Sequence, residues 1–166
     1  MILIPDRDGG SGEPVLRVER FAAAYYALVD AGAEIVLASP DGGSPWGRLA
    51  RRGLEDGTPL SGRLRADRIV REAMTDTLSL DQVFPDDFAA AFCVGEPGPV
   101  WKADPGNPAG GTIGRLLMAG KPVAVVPSGF DLAPHGAGEG LVITGGSSRS
   151  PLLAARALLG ALAHST

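Results

Sequence analysis

"VERFAAAYYALVDAGAEIVLASP", residues 18–40, decides the fold. Val18, Phe21, Ala22, Tyr25, Leu28 and Val29 fall at helical spacing within a helix predicted over Val15 to Ala31, and Gly32 ends it as a C-terminal glycine should. "AEIVLASP" (33–40) then reads as a strand, stopped by Pro40 and the "DGG" turn. Ahead of the helix, "MILIP" (1–5) is a short apolar strand and "DRDGGSGEP" (6–14) its loop. Strand, helix, strand with short links is a βαβ unit, which implies parallel pairing and a right-handed crossover.

Working outward, residues 42–64 are rich in Gly, Arg and Pro with little periodicity and read as an irregular excursion. Arg65 to about Leu78 is a modest helix with Ile69, Val70 and Ala73 as its core face. "AAAFCVG" (89–95) is a third strand, and "NPAGGTIGRLLMAG" (107–120) a helix with Asn107 as N-cap, Pro108 at its first position and Gly120 at its end. "KPVAVVP" (121–127) and "GLVITG" (140–145) are the fourth and fifth strands. Ser150 caps a last helix whose Leu152, Leu153, Ala155, Leu159 and Leu162 form its apolar face. Alternating strands and helices, with strand interiors almost wholly apolar, mean an α/β fold: one mostly parallel sheet covered by helices on both faces, in a single domain spanning 1–166. Ligands in such folds sit beyond the carboxyl ends of the strands, here the segments after Pro5, Pro40, Val94, Val126 and Thr144.

Composition narrows the function classes. With 166 residues, 45% of them hydrophobic, the chain can bury a real core. A net charge of -4 with scattered arginines argues against nucleic acid as a partner. No apolar run approaches a membrane span, and "MILIP" is too short for a signal-peptide core. One cysteine permits no internal disulfide and suits a reducing compartment, so the expected location is cytoplasmic. Two histidines and one cysteine, far apart, offer no metal site, and no cofactor motif is present: "GGSGEP" (9–14) and "GGSSRS" (145–150) lack P-loop or GxGxxG spacing.

"KPVAVVPSGF" (121–130) delivers a strand into a tight turn, the place where many α/β enzymes hold a nucleophile. Pro127 can form no thiolate and donates no amide. Ser128 could act there only with a base in hydrogen-bond reach and a group to orient that base. His135 is the candidate base, with Asp131 or Glu139 as third member; His164 belongs to the C-terminal tail. The alternative reading of Pro-Ser-Gly is simply a turn. Cys93, inside the third strand between Phe92 and Val94, reads as a small apolar core residue.

Three stretches, 18–45, 88–126 and 140–162, resemble in order the signature regions of the ThiJ/PfpI superfamily, which is class I glutamine amidotransferase-like. The nearest branch looks like its glyoxalase-III and heat-shock-chaperone-like members. The quoted features are "AGAEIVLASPDGG" (31–43), "GEPGPVWK" (95–102), "LLMAGKPVAVVPSG" (116–129) and "LVITGGSS" (141–148); the resemblance covers most of the chain outside the excursion. It implies a three-layer, flavodoxin-like sandwich. At the catalytic positions the sequence departs from the pattern. Pro127 falls on the family's nucleophilic cysteine and Ser128 on the histidine after it; Arg20, with Glu19 beside it, falls on the supporting glutamate. In the loop whose glycine amides help form the family's oxyanion site stand Gly95 and Glu96, and a carboxylate there would oppose an anionic intermediate. Arg20 pointing inward could pair with Glu96 and fill the old site. The segment after Phe130 is shorter than the family's, which would uncover part of the sheet.

The resemblance therefore implies a protein without the family's cysteine chemistry: a non-catalytic binding or stress-related protein with a small-molecule ligand at the degenerate pocket. Two enzymatic readings stand beside it. One is a hydrolase or lyase of different mechanism using Ser128 and His135. The other is family-type glutamine amidotransferase or glyoxalase activity, against which Pro127 argues. Uncovered apolar surface, and the habit of the family, predict a homodimer.

Overall fold

Residues 18–40 do set the frame of the molecule. The computed structural model describes residues 2–3, 18–44, 58–95, 108–126, 140–145 and 149–164. Strand β1 (Ile2–Leu3) pairs in parallel with β2 (Leu37–Ser39), and helix α1 (Val18–Val29) lies between them in the chain. The elements that follow are β3 (Asp41–Gly43), α2 (Pro59–Ala66), α3 (Arg68–Ala73), β4 (Thr77–Ser79), β5 (Ala91–Val94), α4 (Pro108–Met118), β6 (Val123–Val126), β7 (Val142–Thr144) and α5 (Ser150–His164). Two short 3-10 turns, Leu80–Gln82 and Pro85–Asp87, join β4 to β5. The strands form one seven-stranded sheet in the order β3-β4-β2-β1-β5-β6-β7, parallel throughout except for the edge pair β3–β4. The fold is mixed α/β.

The side chains of the central strands divide between two buried apolar clusters. Leu37, Phe92, Val94, Ala124 and Val126 join one buried cluster with Phe21, Ala22 and Tyr25 of α1 and Ala154, Ala155 and Leu158 of α5. The alternate residues Ala38, Ala91, Cys93, Val123 and Val125 join a second cluster with Ile113, Leu116 and Leu117 of α4 and Leu80 and Val83 of the β4–β5 connection. The two-residue period of a strand divides its side chains between these clusters, so a one-residue slip would exchange them wholesale.

Helix ends follow the glycine signals. Gly32 (φ 86°) and Gly120 (φ 73°) are in the left-handed region. That lets the amides of Ala33 and Lys121 return to the carbonyls of Leu28 and Leu116, closing α1 and α4 in the Schellman manner. Asn107 lies outside the described residues, but α4 does begin at Pro108.

Four expectations need correction. The strand at 33–40 is shorter, because only Leu37 and Ala38 find partners on two-residue β1. The excursion at 42–64 is partly regular: Asp41–Gly43 is an edge strand and Pro59–Ala66 a helix, while 45–57 lie outside the described residues. Thr58 starts that helix by accepting the Ser61 amide at 3.2 Å, with Pro59 at the first position. The single helix at 65–78 is broken at Asp67, whose extended backbone ends α2 and whose carboxylate accepts the Ile69 and Val70 amides at the start of α3. The break rephases the face: Val70 is buried, Ala73 half-buried and Ile69 exposed, and 77–79 is strand. Finally, Ser150 is the first residue of α5 rather than its cap, and Leu152 and Leu153 are exposed. Ala155 is buried and Leu159 and Leu162 pack beside the core, as expected, and Pro151, Ala154 and Leu158 complete the buried face.

β2 and β3, separated only by Pro40, flank β4 on its two sides: Ser39 and Asp41 both stand in register with Ser79. Pro40 crosses the end of β4, and its carbonyl accepts the Leu80 amide at 3.4 Å.

A second device fixes α2 and α3 to α1. Arg63 of α2 makes a two-pronged contact with Asp30, 2.7 Å on one side, and lies 3.7 Å over the Tyr26 ring. The Tyr26 hydroxyl donates to Asp67 at 3.1 Å. Arg63 holds the Asp30 carboxyl below its ordinary pKa, chiefly by hydrogen bonding. A folded-state pKa lowered in this way adds stability above the unfolded value, about 3.9. That stability is lost as pH falls through the lowered value. Asp30→Asn should therefore melt below wild type near neutral pH, with the gap closing as acid titrates the wild-type carboxyl; scanning calorimetry across this range checks it.

Gly140 marks a close approach between chains of backbone: its amide donates to the Leu117 carbonyl, and a Cβ would sit 2.7 Å from both the Leu117 Cα and oxygen. Gly140→Ala should cost about 1–3 kcal/mol of stability by urea unfolding. A variant as stable as wild type would refute this contact.

Candidate functional site

Strand order reverses between β1 and β5: from β1 the chain moves outward to β2 and β4, then returns to the other side for β5, β6 and β7. In open α/β sheets the crevice outside the carboxyl ends at such a reversal is where ligands bind. The segments leaving β1, β5, β6 and β7 at that end are 4–17, 96–107, 127–139 and 146–148, all outside the described residues. Pro127, Ser128, Asp131, His135, Glu139 and Glu96 fall in them, as do the glycines of 9–14. Neither the Ser128–His135 arrangement nor the Arg20–Glu96 pair is therefore placed.

What the described residues do place is the frame. β5 and β6 run level to their ends, Val94 opposite Val126, and the Gly95 amide donates to the Val126 carbonyl at 3.0 Å. Gly95 has a φ of 121°, turning the chain as it leaves β5. The stretch holding Gly95-Glu96 and the one holding Pro127-Ser128 therefore start side by side. Glu19 and Arg20 occupy the first turn of α1, between the buried Val18 and Phe21; Glu19 is exposed and Arg20 half-buried. Glu19 there suits the positive end of the helix dipole.

Cys93 is one residue further inside β5, fully buried in the α4-side cluster, and burial alone pushes its thiol pKa far above the ordinary range. The expectation of an inert core cysteine fits that environment. His164 is at the last turn of α5, exposed, with Nδ1 2.6 Å from the Gly160 carbonyl oxygen.

On the far side of β1, hydroxyl side chains link the strands to one another. Thr77 donates its hydroxyl to the Gly43 carbonyl at 2.9 Å, so across the 2.8 Å contact with Ser39 it is Ser39 that donates. This chain of hydroxyls knits β2, β4 and β3 together. Past β7, a Cβ on Gly145 would lie 2.6 Å from the Ser150 Cβ and Oγ, so the start of α5 is packed tightly against the strand end. No group of three or more His, Cys, Asp or Glu that could hold a metal occurs among the described residues.

The polar network that sequence reasoning missed is Asp67–Tyr26–Arg63–Asp30. Burial first, then the Asp67 carboxylate, raises the Tyr26 hydroxyl pKa, so it stays a neutral donor. Such a group fastens helices and offers no base. Its one legible signal is Asp67 ahead of "RIV", a helix-capping pattern.

Two solved structures have this fold. The X-ray structure of Rapid Encystment Protein 24 kDa (REP24) of Francisella tularensis superposes with a TM-score of 0.66, at 12% identity over 97% of this chain and 98% of that one. The crystal structure of APC35852 gives 0.64, at 15% identity over 99% and 98%. At these identities the likeness is of fold alone. No family model matches the chain, and no curated protein matches its sequence.

Native protein should leave a thiol reagent such as Ellman's unreacted, and Cys93 should become reactive only on adding denaturant. Fast reaction of the native thiol would contradict its burial.

Proposed function

We propose that this is a ThiJ/PfpI-like, class I glutamine amidotransferase-like protein that has lost the nucleophilic cysteine and acts by binding, in a non-catalytic or stress-related role. Its ligand is a small molecule held at the degenerate pocket beyond β1, β5 and β6. The proposed architecture is the three-layer, flavodoxin-like sandwich, and the division of strand side chains between two helix-covered clusters supports it. The proposal includes a cytoplasmic homodimer without cofactor or metal; no helix among the described residues is long and apolar enough to cross a membrane.

One observation carries the loss of cysteine chemistry. The sequence has a single cysteine, and it is buried inside β5 with its thiol held protonated. The residue that follows β6, where the resemblance puts the nucleophile, is Pro127. A nucleophile must be ionisable and reachable. Cys93 is neither, and proline has nothing to ionise.

A second reading keeps an enzyme, a hydrolase or lyase using Ser128 with His135 and Asp131 or Glu139. The level ends of β5 and β6 favour it to this extent: the Ser128 segment leaves the sheet beside the Gly95 turn, at the edge where such folds present reacting groups. Incubation with glutamine or methylglyoxal should give no turnover above buffer in wild type or Cys93→Ala. Turnover abolished by Cys93→Ala would overturn the main reading. Ester hydrolysis lost in both Ser128→Ala and His135→Ala would establish the second.

A further inference from the structure

The two edges of the sheet are finished differently. At one, β3 is antiparallel, three residues long, carries Asp41 and bends sharply at Gly42 and Gly43, both at positive φ. Charge and a sharp turn are what keep an edge from pairing with another chain. At the other edge stands β7, within Gly140–Gly145, a stretch without a charged residue or a proline. Val142, Ile143 and Thr144 are half-buried and Leu141 is 52% exposed. No described residue pairs with its outer side.

The ladder shows which groups face outward. The Val123 amide donates to the Leu141 carbonyl, and Val123 stands opposite Val142. By the alternation of a parallel ladder, Ile143 and Gly145 also turn their backbone groups to β6. The outward N–H and C=O groups are those of Val142 and Thr144, placed evenly about Ile143. That spacing is its own two-fold complement.

We propose that β7 pairs antiparallel with β7 of a second copy of this chain, about an axis at Ile143, joining two sheets into one; this rests on the homodimer reading above and gives it a surface. Val142 and the partner's Thr144 exchange both backbone hydrogen bonds, as do Thr144 and the partner's Val142. Ile143 meets its own symmetry mate. Leu141 comes opposite the partner's Gly145, where no side chain competes for the space. Charge selects the same occupant. The chain carries a net charge of -4, yet this edge carries none, so the two-fold brings no like charges together and a charged peptide finds nothing to read. So short a ladder buries less than the roughly 800 Å² per partner of a stable interface, so the dimer dissociates on dilution through the micromolar range.

Light scattering over a concentration series, with Thr144→Pro alongside, tests this. Proline at Thr144 removes an outward amide and leaves every bond to β6 in place. Wild type should move from dimer to monomer on dilution, and the variant should weaken the dimer about tenfold or more. If wild type is a monomer throughout, the homodimer reading and this surface both fall. If the folded variant dimerises as wild type does, the homodimer stands and the surface is overturned. Should the variant not fold, hydrogen exchange of wild type decides. Val142 and Thr144 amides slowed at dimer concentration support the pairing, and amides equally fast at both concentrations overturn it.

Discussion

Everything in this molecule hangs on a parallel sheet that must be dry on both faces. Phe92 and Val94 turn one way and Ala91 and Cys93 the other, and each set meets helices that bury it. A side chain in the middle of such a strand has no access to water, so chemistry and recognition are displaced to where strands end. Cys93 illustrates the displacement: two residues short of Gly95, its sulfur is packing material. The same atom beyond the strand end would be a different reagent.

The second constraint is polar. α2 is short, contains Gly62 and two arginines, and buries only Ser61 and Leu64. Apolar contact alone holds so small a helix weakly. Arg63 makes up the difference by serving Asp30 and the Tyr26 ring at once, while Asp67 joins the Tyr26 hydroxyl and caps α3. Each of these four side chains has a partner on another segment, so one polar cluster ties α1, α2 and α3 together.

The fold was legible where periodicity was strong. α1, α4 and the strands β5, β6 and β7 carry long apolar patterns and glycine stops, and they fall close to their predicted places. β4 was not legible: "TLS" is three residues, two of them hydroxylic, and Thr77 is buried by virtue of hydrogen bonds rather than hydropathy. α2 escaped because its start rests on a Thr-Pro capping signal inside a stretch otherwise rich in breakers. On α5 the expected face included Ala155, which is buried, but also Leu152 and Leu153, which are exposed; Pro151 and Ala154, small side chains, take their place where the helix approaches α1 and β6. The sequence pointed to the carboxyl ends of all its strands, and the strand order of the structure narrowed these to the ends beside the reversal at β1 and β5. The internal pairings of the candidate site were not legible, because they depend on loop conformations that no period in the sequence encodes.

The hook made by residues 37–43 has a consequence for how the sheet is assembled. One continuous stretch of chain holds β4 on both sides, with Ser79 between Ser39 and Asp41 and Pro40 closing over the end. Register there is secured by covalent connectivity more than by side-chain pattern: sliding β4 by one residue would break two ladders joined by a single proline. β3 pairs with β4 alone, so this edge of the sheet exists only where β4 has been brought back across the connection carrying α2 and α3.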